Sequence, residues 1–231
     1  MTDIVSAKDL TRRYGEGEAA VVAVDSVSVG FPQGAFTAIM GASGSGKSTL
    51  MHCLAGLDEP TSGTVVIDGV ELGSLSDSKL TELRRDKVGF IFQAFNLLPV
   101  LTAEENLVLP LTLAGRKPDH EWVDRLIDTV GLGDRRTHRP AELSGGQQQR
   151  VAVARAFVHR PAVVFADEPT GNLDSKSSAE VLRLLRTAVD EFGQTVVMVT
   201  HDPDAAAIAD RLIELEDGRI VRDEAVVAAR T

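Results

Sequence analysis

Gly41-Ala42-Ser43-Gly44-Ser45-Gly46-Lys47-Ser48, followed by Thr49, sets glycines, a lysine and a hydroxyl at the spacing G-x-x-x-x-G-K-[ST]. Glycines let a backbone turn tightly enough to aim successive N–H groups at phosphate oxygens. A helix opening at Lys47 adds the positive end of its dipole. Lys47 can then reach the β- and γ-phosphates of a nucleoside triphosphate, and the Ser48 hydroxyl suits a bridging Mg²⁺. A Gly/Ser linker with an accidental lysine would have a similar composition. The apolar run Phe36, Ala38, Ile39 and Met40 before the loop, and the helically spaced Leu50, Met51, Leu54 and Ala55 after it, favour the strand, loop and helix that the motif requires.

A second chemical segment is Val163-Val164-Phe165-Ala166-Asp167-Glu168, a continuous apolar run of the kind found in doubly covered parallel strands, ending in two carboxylates. Asp167 fits a residue that holds Mg²⁺ through water. Glu168, one position on, can polarise the attacking water as general base. Two further polar residues end apolar runs: Gln93 after Val88-Gly89-Phe90-Ile91-Phe92, and His201 after the run from Thr195 to Val199. In an open α/β sheet the carboxyl ends of strands are where ligands bind. Gln93 is therefore either a ligand of Mg²⁺ or of the attacking water, or a simple strand cap; His201 can hydrogen-bond a γ-phosphate. His52, His120, His138 and His159 lack such a position and read as surface or packing residues.

Two sites stay open on residue type alone. Tyr14, the only tyrosine, either stacks an adenine on its ring face or is an ordinary strand aromatic. Leu143-Ser144-Gly145-Gly146-Gln147 opens a helix carrying Val151, Ala154 and Phe157, and Ser144 with Gln147 forms a capping box. Two adjacent glycines in a first turn cost backbone entropy unless something approaches closely, and a second anion at this helix start would account for them.

The elements that must position these groups follow from periodicity. Ile4 to Tyr14 and Val21 to Phe31 read as strands around the Gly15–Glu18 turn, beside the phosphate loop. Thr64 to Asp68 is a short strand, Asp77 to Arg85 a charged helix, and Ser175 to Asp190 a helix closed by Gly193. From Ala94 to Arg160 the texture turns helical: Thr102-x-x-Glu105 is a capping box, and Trp122, Leu126 and Val130 stripe a helix that ends at Gly131. Arg211 to Glu216, Asp217-Gly218 and Ile220-Val221 read as a closing hairpin, followed by a polar tail with no assignable role.

At 231 residues, one domain with two lobes fits the length. With 24 Lys plus Arg against 34 Asp plus Glu, the formal charge of −10 argues against a nucleic-acid partner. The single Cys53 excludes an internal disulfide and suits a reducing compartment; beside Met51 on the helix after the phosphate loop, it reads as a buried structural thiol. Met-Thr-Asp-Ile-Val has no basic segment or apolar h-region, and no run of about 18 apolar residues occurs. The expectation is a cytoplasmic protein that reaches a membrane only through a partner.

Taken together, Tyr14, Gly41 to Thr49, Gln93, Leu143 to Gln147, Val163 to Glu168, Asp174 and His201 resemble the ATP-binding subunit of an ABC transporter over nearly the whole chain. Gln93-Ala94-Phe95-Asn96-Leu97-Leu98, Asn106-Leu107 and Asp167 to Asp174 look like the branch of lipoprotein-release, macrolide-export and cell-division (FtsE-like) ATPases. The resemblance implies an α/β fold: a P-loop NTPase (RecA-like) core with an antiparallel β subdomain and an inserted helical subdomain. Residues 1–93 and 161–231 would form the core with the β subdomain, and 94–160 the helical subdomain, in one domain of 231 residues. It further implies an Mg²⁺-dependent ATPase. ATP would be held by Tyr14, by Gly41, Ser43, Gly44, Ser45, Gly46, Lys47, Ser48 and Thr49, and by Ser144, Gly145, Gly146 and Gln147. The metal would be held by Ser48, Gln93 and Asp167, and catalysis carried by Glu168, His201 and Gln93. Finally it implies an ATP-dependent homodimer, stacked head to tail, with transmembrane permease-type subunits, the whole peripheral on the cytoplasmic face of the cell membrane. Alternatives are a regulatory partner signalling without transport and a soluble ATPase of an assembly machine.

Phe95-Asn96-Leu97-Leu98-Pro99-Val100-Leu101 is strongly apolar yet broken by Pro99, so it cannot all be core helix. The expectation is that part of it, with Glu104-Glu105-Asn106, lines an exposed groove for a short cytoplasmic helix of a membrane subunit, the acidic pair selecting a basic partner.

Overall fold

The computed structural model describes residues 2–226. The chain opens with β1 (Asp3–Tyr14) and β2 (Val21–Pro32), paired antiparallel, and passes to β3 (Phe36–Met40), which delivers the phosphate loop to α1 (Lys47–Leu54). β4 (Ser62–Ile67) and β5 (Val70–Glu71) complete a four-stranded antiparallel sheet in the order β2-β1-β4-β5. Strand β4 starts at Ser62, two residues before the expected Thr64, because Ser62 already pairs with Thr11 of β1.

After α2 (Asp77–Lys87) and β6 (Val88–Ile91), the chain makes α3 (Ala103–Leu113), α4 (His120–Thr129) and α5 (Gly145–Phe157). It returns through β7 (Val163–Asp167), α6 (Ser175–Phe192), β8 (Val196–Val199) and α7 (Pro203–Ala206) to the hairpin β9 (Arg211–Glu216) and β10 (Arg219–Ala225). These build a second sheet in the order β10-β9-β3-β8-β7-β6, parallel except for the edge strand β10. Strands β3 and β7 thus flank β8. A parallel sheet brings all its carboxyl ends to one edge, so the phosphate loop, Asp167-Glu168 and Thr200-His201 meet there although up to 160 residues separate them in sequence. The residues Arg222–Ala225, expected in the tail, pair with β9 instead. The remainder of the tail, 227–231, lies outside the described residues.

Helix α1 fills the space between the sheets. Leu50, Met51, Cys53 and Leu54 are fully buried against Phe31 and Ile67 of the antiparallel sheet and Phe165, Val197 and Ile213 of the parallel one. Burying one such aliphatic side chain stabilises by about 1.5–3 kcal/mol, so α1 is fixed by both sheets rather than by its own short length. Burial pushes the Cys53 thiol up to about 11, an inert packing group as its neighbours in sequence suggested.

On the other face of the parallel sheet, Leu107, Trp122, Leu126, Phe157 and Leu185 pack with Ala38, Val164, Val196 and Met198 in one continuous core. Trp122 is core as its stripe predicted, edge-on to Phe192 at 5.2 Å. The caps of α3 and α5 form from the residues that announced them, Thr102 with Glu105 and Ser144 with Gln147, and α6 is capped by Asp174, which accepts from the Lys176 and Ser177 N–H groups. Among the described residues no helix is long and apolar enough to cross a membrane.

Candidate functional site

A cavity of about 810 Å³ opens where β3 meets α1. It is lined by Met40, Gly41, Ala42, Ser43, Gly44, Gly46, Lys47, Ser48 and Thr49 together with Glu168, His201, Ala23 of β2 and Glu214 of β9. The loop's shape is enforced from outside. Gly46 sits at φ +98, and a Cβ there would lie 2.0 Å from the Ala23 carbonyl oxygen, so strand β2 leaves no room for a side chain. Gly218 N–H also donates to the Ser45 carbonyl at 3.0 Å, tying the closing hairpin to the loop. Because Gly46 offers no side-chain cap, the first-turn N–H groups of α1 are left for another acceptor. Lys47 is buried with its Nζ donating to the carbonyls of Gly41 (2.9 Å) and Ala42 (2.8 Å). The Ser45 hydroxyl is buried without a partner.

The strand-end acids arrive as the apolar run of β7 predicted. Ser48 Oγ donates to Asp167 Oδ1 at 3.0 Å, joining α1 to β7 across 119 positions. Glu168 adopts φ +47, which costs on the order of 1–3 kcal/mol for a residue with a Cβ. The left-handed turn carries it off the strand line, and it joins the cavity wall. His201 Nδ1 lies 2.9 and 3.0 Å from the two Glu168 carboxylate oxygens, an arrangement that assigns the proton to Nδ1.

The remaining sequence candidates lie apart from this cavity. Gln93 is not among its lining residues; its Nε2 donates to Asn172 Oδ1 at 3.2 Å while Asn172 Nδ2 returns a bond to the Gln93 carbonyl at 3.1 Å. Tyr14 is 42% exposed, so it is not a core aromatic. Its hydroxyl donates to Asp58 at 2.5 Å, and the Arg12 guanidinium covers one ring face at 4.5 Å, leaving a single face for stacking. Ser144 and Gln147 close the capping box on α5, Gln147 N–H to Ser144 Oγ at 3.3 Å and Ser144 N–H to Gln147 Oε1 at 2.8 Å. No residue from Ser144 to Gln147 lines the phosphate-loop cavity. Part of the glycine requirement there is internal: a Cβ on Gly146 would lie 2.6 Å from Ser177 Oγ on α6, whereas one on Gly145 meets nothing closer than 3.6 Å.

Three neighbours of the site escaped sequence reasoning. His52, read as a surface or packing residue, holds its Nε2 3.8 Å from Asp167 Oδ2; its spacing of four from Ser48 on α1 was the available signal. Glu214 and Ala23 reach the cavity from strands whose sequences give no hint of it.

The stretch expected to line a groove contributes only Asn96 to the apolar depression beside it. This depression, of about 380 Å³, is lined by Phe90, Phe92, Asn96, Leu109, Pro110, Leu113 and Arg155, not by Phe95, Leu98 or the acidic pair. Glu104 is instead held by Arg136, Nε to Oε2 at 2.8 Å, which keeps its carboxyl below the usual range. Glu105 accepts from the Thr102 N–H at 2.8 Å, and Asn106 is fully buried, bonding the Leu98 N–H and the carbonyls of Leu98, Leu101 and Thr102. The acids are consumed by helix capping and an internal ion pair. Burial also lowers the pKa of Arg155 in the groove wall, where its guanidinium donates to the carbonyls of Phe95 and Asn96.

Comparison with known proteins places this geometry. Residues 24–171 match the family described as ABC transporter. A macrolide export ATP-binding/permease protein, MacB, of Marinobacter nauticus is 49% identical over 222 residues, covering 95% of this chain and 34% of its own length. The chain therefore spans about a third of the length of that relative. The ABC transporter ATP-binding protein MJ0796 of Methanocaldococcus jannaschii is 44% identical over 227 residues, covering 96% of this chain and 97% of that protein. A solved dimer of the MJ0796 cassette in a post-hydrolysis state, bound to ADP and Pi, superimposes with a TM-score of 0.86 at 43% identity, covering 96% of this chain and 98% of that one.

Proposed function

The chain belongs to the ABC transporter family, and on that premise we propose that it is the ATP-binding and ATP-hydrolysing subunit of a membrane complex in the lipoprotein-release and macrolide-export branch. The observation that carries this is a single cavity lined by the phosphate loop together with Glu168 and His201. Loop N–H groups, the uncapped start of α1 and Lys47 bind and orient the phosphates. Glu168 takes the proton of the attacking water. Its Nδ1–H partner His201 fixes the rotation of that carboxylate, and His201 reaches a γ-phosphate when the ring turns from Glu168.

The donor set fits Mg²⁺: a hydroxyl and a carboxylate oxygen 3.0 Å apart, both hard ligands, one on α1 and one on β7. Ser48 would bind it directly and Asp167 through water, with Gln93 reaching it once released from Asn172. When bound, the ion neutralises charge developing on the β- and γ-phosphates. Tyr14 offers its free face to the adenine.

The signature segment Ser144–Gln147 lines no part of its own phosphate-loop cavity, which, beside the dimeric form of the MJ0796 cassette, supports a second copy completing the site. Ser144 and the start of α5 then donate to a γ-phosphate held by the partner. In this reading the groove beside α3 is the seat for a short helix of a permease-type subunit, and the apolar lining supports peripheral attachment at the cytoplasmic face of a membrane. Sedimentation of Glu168→Gln with ATP and with ADP tests the reading: a dimer in ATP alone is expected, and a monomer in both overturns it.

A further inference from the structure

Gln149 lies on α5 and is fully buried. Its Nε2 donates twice, to the Phe92 carbonyl at 3.2 Å and to the Pro169 carbonyl at 2.6 Å. The two acceptors fix the orientation of the amide, since the flipped form would turn its oxygen toward both carbonyls. They also lie on different functional segments. Phe92 borders the groove and precedes Gln93; Pro169 follows Glu168. Proline has no N–H, so its carbonyl is the one main-chain hydrogen-bonding group through which that residue can be held. Glu168 itself sits at φ +47, anchored by its N–H to Val199 and its carbonyl to the Gly171 N–H. The Gln149 Oε1 is buried without a partner, so this amide is kept at the expense of an unsatisfied acceptor.

We propose that Gln149 is a positioning residue for hydrolysis: by bridging the Phe92 and Pro169 carbonyls it holds the backbone of Glu168 in register with the loop that borders the groove. This inference rests on the hydrolytic and docking roles given above. A displacement of residues 92–96 by a docked partner would reach the catalytic carboxylate through this buried amide. The neighbouring Gln93–Asn172 pair joins the same two segments at their exposed surface.

The test compares the full chain with Gln149→Met, which keeps the length and removes the donor, Gln149→His, which returns a ring N–H, and Glu168→Gln. Steady-state hydrolysis, melting temperature and amide hydrogen exchange are measured for each. Gln149→Met is expected to lower kcat roughly ten- to hundred-fold with KM for ATP nearly unchanged. Exchange should quicken at residues 92–96 and 170–173 while α5 stays protected, and Gln149→His should recover part of kcat. Hydrolysis by Gln149→Met within about threefold of the parent overturns the proposal. So does a loss accompanied by faster exchange along all of α5, which marks a purely structural amide. If Gln149→Met does not fold, a folded Gln149→His with parental kcat and exchange supports the proposal, and one with exchange raised throughout α5 overturns it. The Glu168→Gln control separates the two readings. Undiminished turnover there sinks the catalytic assignment, whereas an inactive Glu168→Gln beside a fully active Gln149→Met sinks only the role of Gln149.

Discussion

Helices α1 and α5 both open on glycine-bearing turns, yet the structure completes them in opposite ways. The α1 start has a left-handed glycine cap, no side-chain acceptor and a cavity in front of it. The α5 start has a serine cap with a reciprocal Gln147 bond and lines no part of that cavity. Gly46 is demanded by Ala23 of the same chain, and Gly146 by Ser177 of the same chain. Gly145 is demanded by nothing within van der Waals crowding distance. A helix start whose donors are free, with a cavity before it, is suited to an anion held by the same chain. In one that is self-capped and carries a glycine its own chain does not require, the proposed second copy would supply the reason for the glycine.

The largest expected effect tests the α1 cavity as the seat of chemistry. Glu168→Gln keeps the side chain's shape and loses its basic oxygen, so hydrolysis should fall about 10²- to 10⁴-fold with ATP binding retained. Single-turnover hydrolysis and nucleotide affinity read this directly; turnover within about threefold of the parent removes the assignment.

Next in size is Gly46→Ala, which meets the Ala23 carbonyl in a left-handed conformation and should destabilise by roughly 3 kcal/mol or more. Gly145→Ala is its counterpart. It should leave thermal stability unchanged or raise it by up to about 1 kcal/mol, because alanine is the better helix former. If the outward reading of α5 is right, the same substitution weakens ATP-dependent dimerisation. Ser144→Arg should abolish it in the Glu168→Gln background, with sedimentation in ATP as the measurement; a dimer indifferent to both changes would erase the contrast between the two helix starts.

The smallest effect concerns the helical segment behind α5. The Arg136 guanidinium lowers the Glu104 pKa chiefly through their hydrogen bonds, so the pair stabilises the fold above the ordinary carboxylate value of 4.5 and ceases to do so as pH falls through the lower folded value. Both side chains are about a third exposed, and solvent screening limits the contribution to about 1 kcal/mol or less. Glu104→Gln should therefore lower the melting temperature slightly at neutral pH, with the difference from the parent closing on acidification.

Residue type and local spacing determined a great deal. The phosphate loop, the apolar runs ending in Asp167-Glu168 and His201, the capping boxes at Thr102 and Ser144 and the buried stripe of α4 each depend on neighbours within a few positions, where periodicity and backbone chemistry suffice. The same local reading misassigned the acids at Glu104 and Glu105, because whether a carboxylate is free or consumed depends on Arg136 and on the cap it closes. It missed Gln149, whose partners lie 57 and 20 positions away. It could not tell which of two adjacent glycines is required by α6 and which has room for a side chain. Sequence alone fixed which groups could bind phosphate and move a proton. Only the parallel order β3-β8-β7, bringing strand ends together, and the packing of α5 against two loops decided which of them meet, because such contacts form between segments whose separation leaves no periodic trace in the chain.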